Sequence, residues 1–419
     1  MNMVRITFIL FIFSLPIHAE KLDSLNHWGY TFHLMPGKIV AIDKYSAKWI
    51  KKTPNFSIAA ELEYSALRSD SDLFAEDYGY PLINLGMRYT LNNEVRLHRD
   101  PDPDWGQAQP VNYFSRLGNT FSLYGRFYRP VYRRKKWETA YSFSLGLGYS
   151  KDIYNKLNNI DNELIGSHIS IYFGSGIHET YYFDQNWGVR AGIELIHHSN
   201  GALYRPNKGS NSIGTSIGMV YEPFYYELVN KGKKRWKNEV DKYLYLNFSA
   251  GFGAKTMLED WLETQFRTSP TDPNYRTENF HVYPTYSIQC DLMYRYARRW
   301  ASGIGIDWFY GTYAQHIAKL DEMQGISMPH SPWSLGIAVK QETFYHQWSV
   351  GLNLGMYLHR QMGYNAQFNE SRIYERLGIF YTFQKWRNLK LGINVKAHIT
   401  KADLTEVNIS HPINLAKKR

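Results

Sequence analysis

The chain has 419 residues, 44% hydrophobic and 16% aromatic, with a formal net charge of +10 and a mean hydropathy of −0.46. No internal run approaches the ~20 apolar residues of a membrane helix, which excludes a helical membrane protein. A lone cysteine, Cys290, excludes an intramolecular disulfide framework. The basic balance suits nucleic acid, anionic lipid or an anionic polysaccharide, but the aromatics fall at strand period rather than along a basic groove, which argues against nucleic acid.

In chain order, the first segment is Met1–Ala19, with Arg5, an apolar core from Ile6 to Leu15, Pro16 and a small residue at Ala19. It reads as a secretory signal peptide, 1–19, cleaved after Ala19. Residues 20–419 then read as one domain with about sixteen strands (range about twelve to sixteen). Eight are expected near 27–36, 55–66, 80–91, 119–130, 137–150, 166–180, 187–199 and 211–223. Eight more are expected near 242–254, 282–297, 300–312, 333–343, 346–358, 372–383, 390–399 and 402–412. Tyr141, Phe143, Leu145, Leu147 and Tyr149 oppose Ser142, Ser144, Gly146 and Gly148, the two-residue period of a strand with one apolar face.

A soluble sandwich alternates too. Strand length near the ~9–11 residues of a tilted spanning strand, Trp and Tyr at strand ends, and alternation of short turns with long loops favour a transmembrane antiparallel β-barrel with long extracellular loops. Two connections, 67–79 and 224–241, are long for turns on the short side. The basic runs Arg133–Lys136 and Lys231–Lys237 read as solvated turns. With both ends of the chain in the periplasm, the strand 187–199 runs outward, and a single sixteen-stranded ring would leave an aqueous lumen.

The segment Trp187–Tyr221 carries the chemistry. Trp187, Val189, Ala191, Ile193, Leu195, His197 and Ser199 share one face of the first strand, and Asn211, Ile213, Thr215, Ile217, Met219 and Tyr221 share one face of the second. Paired as a hairpin, these strands place His197, Ser199 and Asn211 together at the loop end of an apolar wall. Side chains at i and i+2 of a strand root about 7 Å apart, within reach of an imidazole and a hydroxyl. A serine needs a base to become a nucleophile, and the base needs a third group to hold its tautomer. Asn211 is the best-placed third group. Asn200 and neighbouring backbone N–H groups are candidate oxyanion donors. His198 has the wrong parity, and so does Glu194. His168 and His178 read as inward lining of one strand, too far apart to share a metal. Asp307, Lys396 and His398 read as lumen polars.

The run HHSNGALYRPNKGSN, His197–Asn211, resembles the signature of the PagL-type lipid A 3-O-deacylases, a family of acyloxyacyl hydrolases: H-x-S-N, two small residues, P-N-x-G, then an acid. The match falls at His197, Ser199, Asn200, Pro206, Asn207 and Gly209. Gly166–Ser167–His168, Lys396–Ala397–His398 and Lys401–Ala402–Asp403 resemble the longer members from Bacteroidetes-type bacteria. The resemblance implies an outer-membrane enzyme of a Gram-negative cell, with lipid A of lipopolysaccharide as partner and no metal or cofactor. It implies Ser199 as nucleophile, His197 as base, and the Asn200 side chain and Ala202 N–H as oxyanion donors, cleaving the acyl ester at position 3. Two features depart from it. The acid is replaced by Asn211, and the chain is longer than the eight-stranded founding members. Outer-membrane phospholipase A is similar in its lipid-facing His-Ser-Asn set, so a phospholipase-type hydrolase is the neighbouring reading. A non-enzymatic channel or structural barrel is the opposing one. Pairing into a homodimer is left open by the sequence.

Overall fold

The computed structural model describes residues 27–229, 240–399 and 401–417. The 1–19 segment and the basic run 231–237 lie outside them. The strands are β1 (Trp28–Ile39), β2 (Ile50–Lys52), β3 (Pro54–Ser65), β4 (Leu82–Leu91), β5 (Arg96–Leu97), β6 (Thr120–Arg134), β7 (Trp137–Ser150), β8 (Ile169–Tyr182), β9 (Trp187–Ser199) and β10 (Ser210–Tyr221). They continue with β11 (Tyr243–Thr256), β12 (Val282–Ala297), β13 (Trp300–Gly311), β14 (His330–Tyr345), β15 (Trp348–Met362), β16 (Ile373–Phe383), β17 (Leu389–His398) and β18 (Lys401–Lys417). All sixteen strands expected from the sequence are present; β2 and β5 are extra and form a small two-stranded ribbon among the loops.

The antiparallel barrel class is as expected, but the sixteen strands do not share a ring. They close into two eight-stranded barrels, one from β1, β3, β4 and β6–β10, the other from β11–β18. β10 pairs with β1, with Tyr221 opposite Tyr30 and Gly214 opposite Gly37. β11 pairs with both β12 and β18. The reason is in the register: β10 meets β1 along its length and has no edge left to offer β11. The long 224–241 connection is therefore the link between barrels. No helix of the described residues is long and apolar enough to cross a membrane; the spanning elements are strands.

The lumens are not aqueous. An eight-stranded ring is just wide enough for side chains to fill it. In the first barrel Arg88 Nη2 donates to Glu194 Oε2 at 2.6 Å, and Arg126 Nη2 to the same oxygen at 3.0 Å. Arg126 also pairs with Glu61 at 3.2 Å, and Arg190 with Glu63 at 2.8 Å. Met35, Tyr124, Tyr172 and Ile196 pack among them. The second barrel repeats the solution with Lys340 between Asp291 and Asp307, Arg376 on Glu406, and Lys396 on Asp403 at 2.7 Å. The outward faces are apolar, with Leu85, Leu147, Ile193, Leu195, Ile304 and Leu354 all more than half exposed. Burying charge costs several kcal/mol per ion unless each is paired, so inward pairing and an apolar exterior are two sides of one arrangement. Tyr30, Trp187 and Tyr221 group their rings, and Trp28 packs edge-on against Tyr64, at the end of the first barrel opposite the long loops, as an interfacial girdle does.

The barrels touch at both ends. At the long-loop end, Trp105 stacks near Phe266, Gln107 N–H donates to Phe266 O at 2.8 Å, and Trp261 packs with Tyr154 and Ile160. At the other end the 67–79 connection docks on the second barrel: Tyr78 hydroxyl donates to Phe344 O at 3.0 Å, and Arg298 pairs with Asp77 at 3.0 Å. That contact accounts for a connection too long for a simple turn.

Glu194 is the carboxylate partner of Arg88 and shares Arg126 with Glu61, so Glu194→Leu should cost about 3 kcal/mol or more of stability. Thermal unfolding in detergent, followed by circular dichroism, measures it; an unchanged transition would contradict the ion-pair account.

Candidate active site

β9 and β10 pair in the register the alternation demands: Asn211 lies opposite His197 and Ser210 opposite His198. On the other side, Phe173 of β8 lies opposite His197, and Ile171 opposite Ser199. The face shared by Leu195 and His197 is the outer wall. Leu195 is 53% exposed, His197 is half-buried, and Ser199, at the strand end, is 9% exposed.

His197 Nδ1 and Asn211 Oδ1 are 2.8 Å apart. Asn211 Nδ2 donates to Gly209 O at 3.4 Å, which leaves the Asn oxygen facing the ring. An oxygen acceptor at Nδ1 calls for the proton on Nδ1 and leaves the Nε2 lone pair free to take a proton; this tautomer is assigned from the network. Among the described residues the Ser199 hydroxyl makes no hydrogen bond.

The loop between the strands is shaped tightly. Gly209 has φ +77°, and a Cβ there would lie 2.6 Å from His197 Cε1, so only glycine lets the loop pass over the ring. Asn200 and Leu203 close a turn, with Leu203 N–H donating to Asn200 O at 3.2 Å and positive φ at both Gly201 (60°) and Ala202 (71°), as in a type I′ turn. Asn207 Oδ1 accepts from the Asn200 N–H at 3.0 Å. Asn200 Nδ2 donates to Ser167 Oγ at 3.2 Å, which uses one of its two hydrogens. The Arg205–Pro206 bond is cis. Lys208 N–H donates to Glu163 O at 3.0 Å, and Lys208 Nζ pairs with Asp43 at 2.8 Å. Burial alone would raise the Asp43 carboxyl, but the Lys208 bond and the Ser46 N–H hold it below the usual carboxylate range.

His197, Ser199, Asn200, Ala202 and Asn211 thus converge at one end of one hairpin. His198 points into the lumen, where its Nε2 lies 3.0 Å from Ser122 Oγ. Glu194 is held by Arg88 and Arg126, away from His197. His178 is inward, 2.8 Å from Ser142 Oγ. His168 corrects the sequence reading: it precedes β8, is exposed, stacks on Tyr149 and lies 2.8 Å from Ser150 O. Strand parity does not extend past the strand's first residue, Ile169. Asp307, Lys396 and His398 are lumen residues, but of the second barrel. Sequence reasoning missed Ser167, Thr256 and Thr405, which contact the site loop from other elements. The Gly166–Ser167–His168 run was the one available signal for Ser167. Among the described residues no group of three or more His, Cys, Asp or Glu could hold a metal ion.

The comparisons agree with this architecture. Residues 82–220 match the model of the lipid A 3-O-deacylase (PagL) family, and residues 240–415 match that of the acyloxyacyl hydrolase C-terminal domain. The chain belongs to the PagL lipid A 3-O-deacylase family, as an outer-membrane β-barrel with a second barrel appended. The second match begins just before β11, so it coincides with the second ring. No curated protein sequence matches. Among solved structures, a Rhodopseudomonas blastica porin aligns over 92% of this chain and 99% of its own at 7% identity and a TM-score of 0.16. A BenF-like porin from Pseudomonas fluorescens Pf-5 aligns over 93% and 98% at 10% identity and 0.21. At these scores the likeness carries no argument.

Gly209→Ala should leave both barrels folded and lower acyl-ester hydrolysis by about a hundredfold, the scale of a 1 Å misplacement. Hydrolysis of a chromogenic acyl ester in detergent micelles checks it; wild-type rates would show that the ring does not need this loop.

Proposed function

We propose that this protein is an outer-membrane ester hydrolase that removes the acyl chain at position 3 of lipid A, using Ser199, His197 and Asn211. The observation that carries the reading is the 2.8 Å pairing of His197 Nδ1 with Asn211 Oδ1 on the outer wall, inside the family signature. With the long loops facing the cell exterior, this wall end meets the outer leaflet, where lipopolysaccharide resides. An acyl chain lies along Leu195, Phe173 and Ile171, and its ester reaches Ser199.

His197 Nε2 takes the Ser199 proton as Oγ attacks the ester carbonyl. The negative charge on the former carbonyl oxygen is met by the second hydrogen of Asn200 Nδ2 and the Ala202 N–H. Collapse of the tetrahedral intermediate breaks the bond to the sugar oxygen, which leaves with the proton from His197. Water, deprotonated by His197, then cleaves the acyl-Ser199 ester and frees the fatty acid. Asn211 orients the ring but stabilises imidazolium less than a carboxylate does, so a slow enzyme is expected. The side-chain-filled barrels disfavour the channel alternative. Phospholipid hydrolysis is the competing substrate reading, since the wall itself recognises only an acyl chain.

Purified protein in detergent, incubated with lipid A, should release one fatty acid per molecule by mass spectrometry. Ser199→Ala and His197→Ala should lower the rate by about 10³-fold or more. Asn211→Glu should keep or raise activity. Equal product from wild type and Ser199→Ala would end the hydrolase reading, and faster turnover of diacylphospholipid in parallel would replace lipid A as substrate.

A further inference from the structure

We infer that the second barrel is part of the catalytic apparatus: Thr405 and Thr256 position the oxyanion donor of the first barrel. This rests on the hydrolase reading above.

The site loop is held across the seam. Thr405 Oγ1 of β18 donates to Gly201 O at 2.9 Å. Thr256, the last residue of β11, donates to Ala202 O twice, from its N–H at 2.8 Å and its Oγ1 at 2.9 Å. Arg205 Nη2 returns a bond to Thr256 O at 3.0 Å. β11 and β18 are paired neighbours, with Ala254 opposite Thr405, so both threonines stand on one rigid edge of the second ring. A Cβ at Gly201 would collide with Thr405 Oγ1, so the glycine is what lets the second barrel come this close.

The consequence follows from peptide geometry. In a trans peptide the C=O and the following N–H point in opposite directions. Fixing Gly201 O on Thr405 therefore aims the Ala202 N–H away from the second barrel. Fixing Ala202 O on Thr256 aims the Leu203 N–H, which is already spent on Asn200 O. The Ala202 N–H is left over. Ala202 is fully buried, and among the described residues its N–H has no partner. A buried backbone N–H without a partner is rare and costly, and oxyanion sites are where such a donor is kept. Two successive residues with positive φ are a strained conformation for Ala202, and the cross-barrel bonds hold it.

Thr405 and Thr256 are positioning residues and do not touch the reacting atoms. Thr405→Val keeps the shape and removes the donor; Thr405→Ser keeps the donor. Wild type, Thr405→Val, Thr405→Ser and Thr256→Val are assayed on lipid A in detergent, with heat-modifiable gel mobility to score the folded fraction. A whole oxyanion donor is worth 10²–10³ in kcat, so a mis-aimed one should cost about tenfold. Thr405→Val should lose about tenfold in kcat with KM unchanged, and Thr405→Ser should recover to within about threefold. Thr256→Val, which keeps its backbone bond, should lose less, and it supplies the measurement if Thr405→Val does not fold. Wild-type kcat in the folded valine variants, a loss confined to KM, or a serine variant as impaired as the valine one overturns the inference alone. A wild type no more active than Ser199→Ala overturns the hydrolase reading, and this inference with it.

Discussion

The pairing of β10 with β1 is the contact on which the rest depends. Once Tyr221 lies opposite Tyr30 and the ring closes at eight strands, every inward side chain of the first barrel must fit a space with no room for bulk water. Arg88, Arg126 and Arg190 then have to be answered by Glu61, Glu63, Glu194 and Glu222 within that space. The polar groups of β9 are consumed inside. Its outer face is left as an apolar wall that ends in His197 and Ser199.

Closure at eight also decides where the second half of the chain goes. A ninth strand has no free edge to join, so β11–β18 close separately and dock alongside. The docking is made by segments that look anomalous in a simple barrel: the 67–79 connection at one end, and the loops around Trp105, Tyr154 and Phe266 at the other. The seam runs past the hairpin loop, which is why Gly201 and Ala202 meet Thr405 and Thr256. Loops rather than strand faces carry most of this interface, so the lipid-facing walls of both rings stay largely free.

The hairpin loop shows how a short motif can be read physically. Gly209 is needed because a side chain there would enter the His197 ring. Asn207 caps the Asn200 N–H. Asn211 is oriented by the Gly209 carbonyl, so its oxygen rather than its amide faces the imidazole. Each position does one local job, and together they hold a ring and a turn within one loop of ten residues, 200–209.

The sequence by itself determined the strands, the alternation of side chains within them, and the meeting of His197 with Asn211. All three follow from two-residue alternation and hairpin register, which are local. It also separated His197 from His198 by parity alone. Only the tertiary structure decided how many rings the strands make, because alternation is the same in one barrel of sixteen and two of eight, and closure depends on which distant edges meet. It likewise decided that the lumens are filled, that His168 lies outside, and that Thr256 and Thr405 reach the site loop. Thr256 and Thr405 lie 54 and 204 residues from the loop residues they bond, Ala202 and Gly201, and no local pattern links residues brought together across a seam.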